Sequence, residues 1–327
     1  MKIAVLTSGG DAPGMNGAIR AVSRAAFARG WEVLGVESGY QGLLEEKFHP
    51  LDNRNVGGIL HRGGTVLGTA RSPEFMTLEG QKLGARMLAG VGVEGLVVIG
   101  GDGSLAGGIK LEEFGIAVVG VPATIDNDVW GTDMAVGVDT ALNTTLEAID
   151  RIKDTASSHQ RAHVLEVMGR RCGYLALMAA IAGGAEAALV PEFDPQPENL
   201  LSSLKESYAR GKPHFIVVAA EGAALTAKDL HEYINSIPGS FDSRLTVLGH
   251  VQRGGAPTAF DRILSGRLGE AAVEALAERE SGTMVGLQGR KVVRVPLNEV
   301  VGRMRPLDPE LYDLARLLAG LQQTALS

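Results

Sequence analysis

Cysteine is almost absent from this chain of 327 residues, in which Cys172 is the only one. A single cysteine excludes an internal disulfide and a metal site built from thiolates. Positively charged residues are also outnumbered: the chain has 31 Lys and Arg residues and 38 Asp and Glu residues, which gives a net charge of -7. Binding to nucleic acid generally needs a positive field, so we expect no general affinity for it.

Long hydrophobic runs are missing as well. The best candidate, residues 175–184 (LALMAAIAGG), is soon followed by Glu186. A membrane span needs ~20 apolar residues, so this stretch predicts a buried core helix. The opening MKIAVLTSGGD passes from a short apolar run into a Gly-rich turn and predicts a first strand, not a signal peptide. We therefore expect a cytoplasmic protein that does not bind a membrane.

What the chain does contain is an alternation of short apolar runs with amphipathic stretches. Aromatic residues make up only 5% while glycine reaches 44 residues, as in α/β enzymes with many tight turns. Two blocks of this alternation, joined near Asp139, predict two similar three-layer α/β/α domains with mostly parallel sheets, facing each other across an active-site cleft. The predicted strands include residues 2–6, 32–36, 95–99, 116–121, 163–167, 187–190, 214–219 and 246–248, and the predicted helices include residues 15–29, 140–153 and 308–319.

The unusual polar residues come just after these strands. Ligands of open parallel sheets bind beyond the carboxyl ends of the strands, so we expect these segments to share one ligand-facing edge. The segments are residues 8–11 (SGGD), 100–104 (GGDGS), 124–128 (TIDND), 168–170 (MGR), Glu221 and residues 250–253 (HVQR).

Two of these segments are Gly-rich turns that open helices. Glycine in residues 8–14 lets backbone N–H groups approach an anion, although a plain tight turn with a Ser or Asp cap fits equally well. In residues 100–104, Asp102 is placed to reach a Mg²⁺ that bridges phosphates, or else to cap the next helix. A GGDG turn also occurs in kinases that phosphorylate NAD and diacylglycerol, so this turn does not define the acceptor.

The acidic turn at residues 122–128 (PATIDND) is the most specific segment. It carries two carboxylates two residues apart, and a buried strand leads into it. Phosphoryl transfer needs a group that accepts the proton of the acceptor hydroxyl, and a positioned Asp does this in many kinases. A solvated acidic loop is the alternative. Cationic side chains able to bind phosphate occur at the other strand ends and turns: Arg71, Arg161, Arg170, Arg244, His250 and Arg253.

Taken together, these segments resemble the bacterial-type ATP-dependent 6-phosphofructokinases. The likeness covers nearly the whole chain, from residues 6–11 to residues 305–306, and its most specific parts follow in family order and spacing. It implies an ATP-binding domain at residues 1–137 plus 252–303 and a domain for fructose 6-phosphate at residues 138–251 plus 304–327. The implied reaction is the committed step of glycolysis, in which the γ-phosphate of ATP moves to the 1-hydroxyl of fructose 6-phosphate.

The resemblance also implies roles for individual residues. Asp126 would take the proton of the sugar hydroxyl, with Thr124 and Asp128 in support, and Asp102 would hold Mg²⁺. Arg71 and Arg170 would stabilise charge on the transferred group. The implied ATP contacts are Gly10, Arg71, Ser72, Gly101, Asp102, Gly103 and Ser104. The implied sugar-phosphate contacts are Thr124, Ile125, Asp126, Arg161, Met168, Gly169, Arg170, Glu221, Arg244, His250, Val251, Gln252 and Arg253.

Assembly and regulation are implied by the resemblance too. Arg161 and Arg244 would serve the site of a neighbouring subunit, which implies a homotetramer. An allosteric site for ADP and phosphoenolpyruvate is matched less fully, because two positions that are usually Arg are Asn53 (beside Arg54) and Lys153, and we expect an altered effector response. The implied effector residues are Arg20, Arg24, Arg54, Lys153, Gly184, Glu186, Arg210, Lys212 and His214.

Two alternatives remain open from the sequence. Pyrophosphate-dependent relatives typically carry an Asp where this chain has Gly103 and a Lys where it has Ala123, so we interpret the donor as ATP; Ala123 itself departs from the usual Gly. The nearest alternative is an enzyme that uses pyrophosphate, or both pyrophosphate and ATP, as the phosphoryl donor. A non-catalytic sugar-phosphate sensor on the same fold is the other, and it would not need to keep Asp102 and Asp126.

Overall fold

The computed structural model describes residues 1–159, 161–193, 200, 202, 215–237 and 242–320. The chain divides into two compact units, each made of two segments. Unit 1 comprises Met1–Thr140 and Arg253–Arg305, and unit 2 comprises Ala141–Gln252 and Pro306–Ser327. The corresponding boundaries in the sequence analysis were residues 137, 251 and 303.

The elements alternate between strands and helices along the chain, as in an α/β protein. The strands are β1 (Lys2–Ser8), β2 (Glu32–Val36), β3 (Phe48–Leu51), β4 (Gly95–Gly100), β5 (Ala117–Pro122), β6 (Ala162–Val167), β7 (Ala187–Leu189), β8 (Phe215–Ala220), β9 (Ser243–Val247), β10 (Thr283–Gln288) and β11 (Lys291–Pro296). The helices are α1 (Met15–Ala28), α2 (Gly39–Leu44), α3 (Leu78–Gly90), α4 (Asp102–Glu112), α5 (Val138–His159), α6 (Tyr174–Gly183), α7 (Ala227–Ser236), α8 (Ala259–Ala277), α9 (Leu297–Val300) and α10 (Pro309–Leu318). Short 3₁₀ turns lie at Glu74–Met76 and Gly249–Arg253.

The sheet of unit 1 has the order β11-β10-β5-β4-β1-β2-β3. Its central strands β1, β4 and β5 run parallel, with β2 and β10 parallel beside them. The edge strands β3 and β11 are antiparallel to their neighbours. Strand β10 is not among the strands predicted from the sequence, and neither are these two edge strands. Both belong to hairpin-like returns with polar or mixed sequences, which lack the continuous apolar run of a central strand.

The core of unit 1 explains why its central strands form where they do. Every residue of β4 is buried, and β5 is buried from its second residue onward. Strands covered by helices on both faces are apolar along their whole length, which is the pattern seen in these two segments. One apolar cluster includes Leu6, Leu96, Val98 and Leu105.

Unit 2 contains a smaller sheet, whose described strands have the order β7-β8-β6-β9 and are all parallel. Its two apolar clusters are centred on β6 and β8. Helix α6 supplies five fully or nearly fully buried residues to this core, as its apolar sequence predicted. Within the described ranges, every helix is too short or too polar to cross a lipid bilayer.

Asp261 is a buried carboxylate that fixes the start of α5 against α8. Its side chain is inaccessible to solvent, and its two oxygens accept hydrogen bonds from Gly137 N–H (2.9 Å), Thr140 N–H (2.9 Å) and the Thr140 hydroxyl (2.6 Å). Burial raises the pKa of Asp261, and these hydrogen bonds oppose that rise. The carboxylate therefore holds the segment that returns from the acidic turn to α5.

We predict that Asp261→Asn lowers the free energy of unfolding by about 1–3 kcal/mol, because the amide presents an N–H₂ group to buried donors and leaves at least one of them unpaired. The measurement is a guanidinium denaturation midpoint. Glu270→Gln is the matched control, since it makes the same change in charge at an exposed position of the same helix. An Asp261→Asn midpoint equal to that of the control would show that the three contacts do not stabilise the fold.

Candidate functional site

Three polar turns leave neighbouring parallel strands at one edge of the unit 1 sheet. Residues 8–10 end β1, residues 100–104 end β4, and residues 122–128 follow β5. Ser8 pairs with Gly100 in the β1–β4 register, and Gly100 pairs with Pro122 in the β4–β5 register. The expected gathering of these three segments at a carboxyl edge is therefore present within unit 1.

The start of α4 is built as an anion site. Its N-cap is Gly101, and no side chain caps the helix, although Thr77, Thr226, Thr258 and Asp308 cap other helices of the chain. The first N–H groups of α4 carry the positive end of the helix dipole, which favours a bound anion. Gly100 is needed for close packing, because a Cβ there would lie 2.5 Å from the Ser104 hydroxyl and from the Ser8 carbonyl.

The acidic turn after β5 is rigid and mostly buried. Asp126 is only 4% exposed, and its N–H donates to the Thr124 hydroxyl at 3.2 Å. Asn127 adopts a left-handed conformation (φ 54°), which Asn tolerates better than most residues. Its side-chain amide donates to Asp133 C=O (3.1 Å) and accepts from Ala135 N–H (3.0 Å), so the turn is tied to the returning chain.

The two carboxylate-bearing turns lie side by side. Ala123 N–H donates to Gly100 C=O at 3.0 Å, which continues the β4–β5 pairing into the turns. A Cβ on Gly101 would be only 3.6 Å from Thr124 Cβ. Asp102 and Asp126 therefore belong to adjacent turns at a single edge of the unit 1 sheet.

A third loop brings arginine to this edge. The Thr69 hydroxyl donates to Gly9 C=O at 2.8 Å, which holds the loop that carries Arg71 and Ser72 against the turn after β1. Arg71 is exposed. Arg253 comes to the same turn from the start of the second unit 1 segment, since a Cβ on Gly10 would lie 3.0 Å from its Nη1.

Arg253 keeps much of its hydrogen-bonding capacity. Its Nε is buried and has no hydrogen-bond partner in the part of the chain that the structure describes. Its only described ion pair, to Asp11, is long at 3.9 Å. A guanidinium held in this way has donors available for an anionic ligand.

Unit 2 gathers the remaining strand-end segments at the carboxyl edge of its own sheet. Glu221, which follows β8, accepts through one oxygen from Gly169 N–H (3.3 Å) and Arg170 N–H (2.8 Å), which follow β6. Gln252 is fully buried and accepts from Met168 N–H at 2.8 Å. These bonds hold the 3₁₀ turn that carries His250 and Val251, both exposed, next to residues 168–170.

Glu166 lies on β6 behind this edge. Burial raises the pKa of Glu166, and the negative charge of Glu221 adds to the rise. The carboxylate on β6 and the carboxylate that follows β8 thus oppose each other's ionisation. The sequence analysis did not single out Glu166, because an acidic residue inside a strand gives no sign of its partner on the next strand.

Arg161 and Arg244 lie at the opposite edge of the unit 2 sheet. Arg161 directly precedes β6, and Arg244 is the second residue of β9, not a residue before that strand as the sequence analysis had it. A six-residue strand such as β6 spans about 20 Å, so these side chains are far from residues 168–170 of the same chain. Both arginines pair with the exposed carboxylate of Asp242.

The residues predicted to bind effectors are distributed over both units. Arg20 and Arg24 lie on α1, Arg54 lies in an exposed turn, Lys153 lies on α5, and Gly184 ends α6 in a left-handed conformation (φ 60°). Glu186 is 3% exposed and accepts from Ile216 N–H at 2.5 Å, so it also anchors β8. Arg210, Lys212 and His214 lie outside the described residues.

Asp102 is the candidate ligand for a cation at the carboxyl edge of the unit 1 sheet. Across the described ranges, no three His, Cys, Asp or Glu side chains are grouped as a metal site. Magnesium typically takes one or two carboxylates together with phosphate oxygens and water. Asp102, beside an anion-binding helix start, fits that donor set.

Comparisons with known proteins agree with this geometry. The family described as Phosphofructokinase matches residues 2–276. The chain is 51% identical to the ATP-dependent 6-phosphofructokinase of Halalkalibacterium halodurans and 52% identical to that of Thermotoga neapolitana, in both cases over 97% of this chain and 99% of the relative. The fold is of the α/β class, and both of these relatives are named as kinases. The chain belongs to the phosphofructokinase family.

Solved structures show the same fold. Phosphofructokinase from Saccharomyces cerevisiae superposes with a TM-score of 0.86 at 38% identity, covering 91% of this chain and 45% of the yeast chain. A pyrophosphate-dependent phosphofructokinase from Marinobacter aquaeolei superposes with a TM-score of 0.85 at 19% identity, over 99% of this chain and 92% of that chain. The second likeness, at so low an identity, establishes the shared fold alone.

The raised pKa of Glu166 gives a prediction for Glu166→Gln. In the folded protein the pKa of the Glu166 carboxyl lies above its ordinary value of 4.5. The contribution of this group to the free energy of unfolding is therefore greatest below pH 4.5, and it declines as the pH rises through the raised pKa. Glutamine has no charge to desolvate. The free energy of unfolding of the Glu166→Gln variant should therefore exceed that of the wild type near neutral pH, and the two values should converge in acid.

The measurement is a series of denaturation curves at several pH values, with Asp150→Asn on the exposed face of α5 as the control. The control should show no such trend. Parallel pH profiles for wild type and Glu166→Gln would mean that the Glu166 carboxyl ionises normally in the folded protein.

Proposed function

We propose that this chain is an ATP-dependent 6-phosphofructokinase, which transfers the γ-phosphate of ATP to the 1-hydroxyl of D-fructose 6-phosphate. The observation that supports this best is the contact between the turn of Asp102 and the turn of Asp126. Relatives about half identical over nearly their whole length are named for this activity. A phosphate site and a proton acceptor on one edge are what the reaction requires.

In this proposal, unit 1 binds the nucleotide. The first N–H groups of α4 and the turn at Gly10 face the phosphates, and Arg71 neutralises charge that develops during transfer. Asp102 would hold Mg²⁺, which supplies positive charge that screens the phosphate oxygens. Ser72, Gly101, Gly103 and Ser104 complete the proposed nucleotide contacts.

Asp126 acts as the general base. It accepts the proton of the 1-hydroxyl as that oxygen bonds to the γ-phosphorus and the bond from phosphorus to the β–γ bridging oxygen breaks, releasing ADP. The Thr124 hydroxyl and the left-handed Asn127 fix the backbone on both sides of Asp126. Asp128 supports the same turn, and Ile125 is buried beneath it.

The acceptor is assigned mainly to the edge of unit 2. Residues 168–170 and Glu221 would bind the sugar, and Arg170 would also stabilise the transferred group. His250 and Arg253 would bind the 6-phosphate, with Val251 and Gln252 in the same turn. Hydrogen bonds from residues 169 and 170 to Glu221, and from Met168 to Gln252, support a preformed acceptor site.

The choice of ATP over pyrophosphate rests on the space around Gly103, in the turn that follows β4. A Cβ on Gly103 would meet no protein atom within 4 Å, so the path beyond the phosphates is open for the rest of a nucleotide. Ala123 adds no positive charge to the acidic turn. An Asp at position 103 would fill this space and leave less room for the nucleoside part of ATP.

Arg161 and Arg244 support an oligomeric enzyme. Because they lie at the edge of the unit 2 sheet away from the proposed acceptor residues, they are suited to the site of another subunit, and we propose a homotetramer acting in the cytoplasm. The effector residues described above would form its allosteric site for ADP and phosphoenolpyruvate.

The activity is tested with a coupled assay for ADP or phosphate release, using fructose 6-phosphate with either ATP or pyrophosphate. We expect turnover with ATP and none with pyrophosphate. Equal or faster turnover with pyrophosphate would overturn the donor assignment.

The role of Asp126 is tested with Asp126→Ser, for which we expect turnover to fall by ~10²–10⁴, the usual contribution of a positioned base. Binding of both substrates should change much less. Asp313→Ser, an exposed acid on α10, is the control and should retain full activity. Near-normal turnover of Asp126→Ser would remove Asp126 from the role of base.

A further inference from the structure

The last segment of unit 1, residues 301–305, connects the two carboxylate-bearing turns through its backbone. We call this segment the strap. Gly302 N–H donates to the Asp102 Oδ1 at 3.0 Å. Arg305 N–H donates to Asp128 C=O at 2.9 Å, and Met304 pairs with Val129 in an isolated antiparallel bridge. One short segment thus contacts the proposed metal ligand on one side and the acidic turn on the other.

The strap starts from a fixed point. It follows α9, whose Leu297 and Val300 are 1% and 0% exposed and belong to the core of unit 1. The N–H of Val301 still donates to Leu297 C=O at 2.9 Å, so the strap begins directly at the end of α9. Helix α9 also packs against α4, the helix that carries Asp102.

Gly302 has a backbone conformation that few other residues would adopt. Its φ is 77°, in the left-handed region, and it is exposed to solvent. A Cβ at this position would meet no atom within 4 Å. Space therefore does not require glycine here. The left-handed backbone conformation that aims the N–H at Asp102 is what favours glycine at this position.

We propose that the strap is a positioning element that fixes the Asp102 carboxylate and holds it in register with the acidic turn; this rests on the function proposed above. A hydrogen bond to Oδ1 restricts the orientation of the carboxylate. A second bond from the same strap to Asp128 keeps the acidic turn at a set distance. One backbone segment thereby positions both the turn that carries Asp102 and the acidic turn at residues 122–128.

The test compares three substitutions at glycines in the left-handed conformation. Gly302→Val disfavours that conformation strongly and should rotate the N–H away from Asp102. Gly302→Asn tolerates the conformation and should keep the bond. Gly92→Val is the matched control, because Gly92 is also exposed, has a φ of 74° and has no atom within 4 Å of a Cβ, but it lies in the loop before β4.

The first readout is equilibrium binding of a non-hydrolysable ATP analogue with Mg²⁺ by calorimetry, without turnover. We expect Gly302→Val to weaken this binding roughly tenfold, as for the loss of one hydrogen bond to a charged group. Gly302→Asn and Gly92→Val should bind as the wild type does. The KM for fructose 6-phosphate should change less than nucleotide binding in all three, because unit 2 supplies most of the proposed sugar contacts. Equal binding by Gly302→Val and Gly92→Val would overturn the proposal.

A reciprocal measurement does not depend on the fold of the glycine variants. Hydrogen exchange of the strap should be faster in Asp102→Ala than in the wild type, while exchange around Gly92 stays the same. Unchanged exchange in the strap would also overturn the proposal. If the wild type fails to use ATP, the proposed function fails, and the exchange experiment still decides whether the strap and Asp102 are coupled.

Discussion

The pairing of β4 with β5 up to and beyond their last residues is the constraint on which the candidate site depends. Ala123 N–H bonds to Gly100 C=O one residue past the strand pair, so the two chains separate into turns only after they have been set side by side. Parallel strands leave the sheet in the same direction. Polar residues that immediately follow them are therefore brought together by the backbone, whatever their side chains do.

Buried polar residues then convert this coarse placement into a fixed geometry. Asn127 holds the acidic turn to residues 133–135, and Asp261 holds the start of α5. Each accepts or donates several hydrogen bonds in a region from which water is largely excluded, where such bonds must be complete to be stabilising. In unit 2, Glu221 and Gln252 accept hydrogen bonds in the same way. The fold therefore fixes the backbone at the carboxyl edge of each sheet.

The sequence was most informative where function and local pattern coincide. The continuous apolar runs predicted β4 and β5 within one residue, and the polar segments after them identified the three turns now seen at one edge. The same reasoning missed β3, β10 and β11, whose mixed sequences carry no strong period, and it treated Arg161 and Arg244 as strand-end residues. Strand direction decides at which edge a residue lies, and composition alone does not reveal it.

Contacts between distant segments were beyond prediction from one sequence. Gly302 and Asp102 are 200 residues apart, and Gly137 and Asp261 are 124 apart. Asn127 stands inside the quoted acidic turn, yet its left-handed conformation became visible only with the backbone. Such residues are glycines, asparagines and buried acids, whose roles depend on the chain that folds against them.

The central claim is that the start of α4 and the acidic turn form one phosphoryl-transfer site. A crystal structure with Mg²⁺, ADP and fructose 1,6-bisphosphate tests it most directly. Nucleotide phosphate should lie against the first N–H groups of α4, the cation on Asp102, and the sugar 1-phosphate beside Asp126. Phosphates bound at another edge, with Asp102 and Asp126 contacting neither ligand, would contradict it.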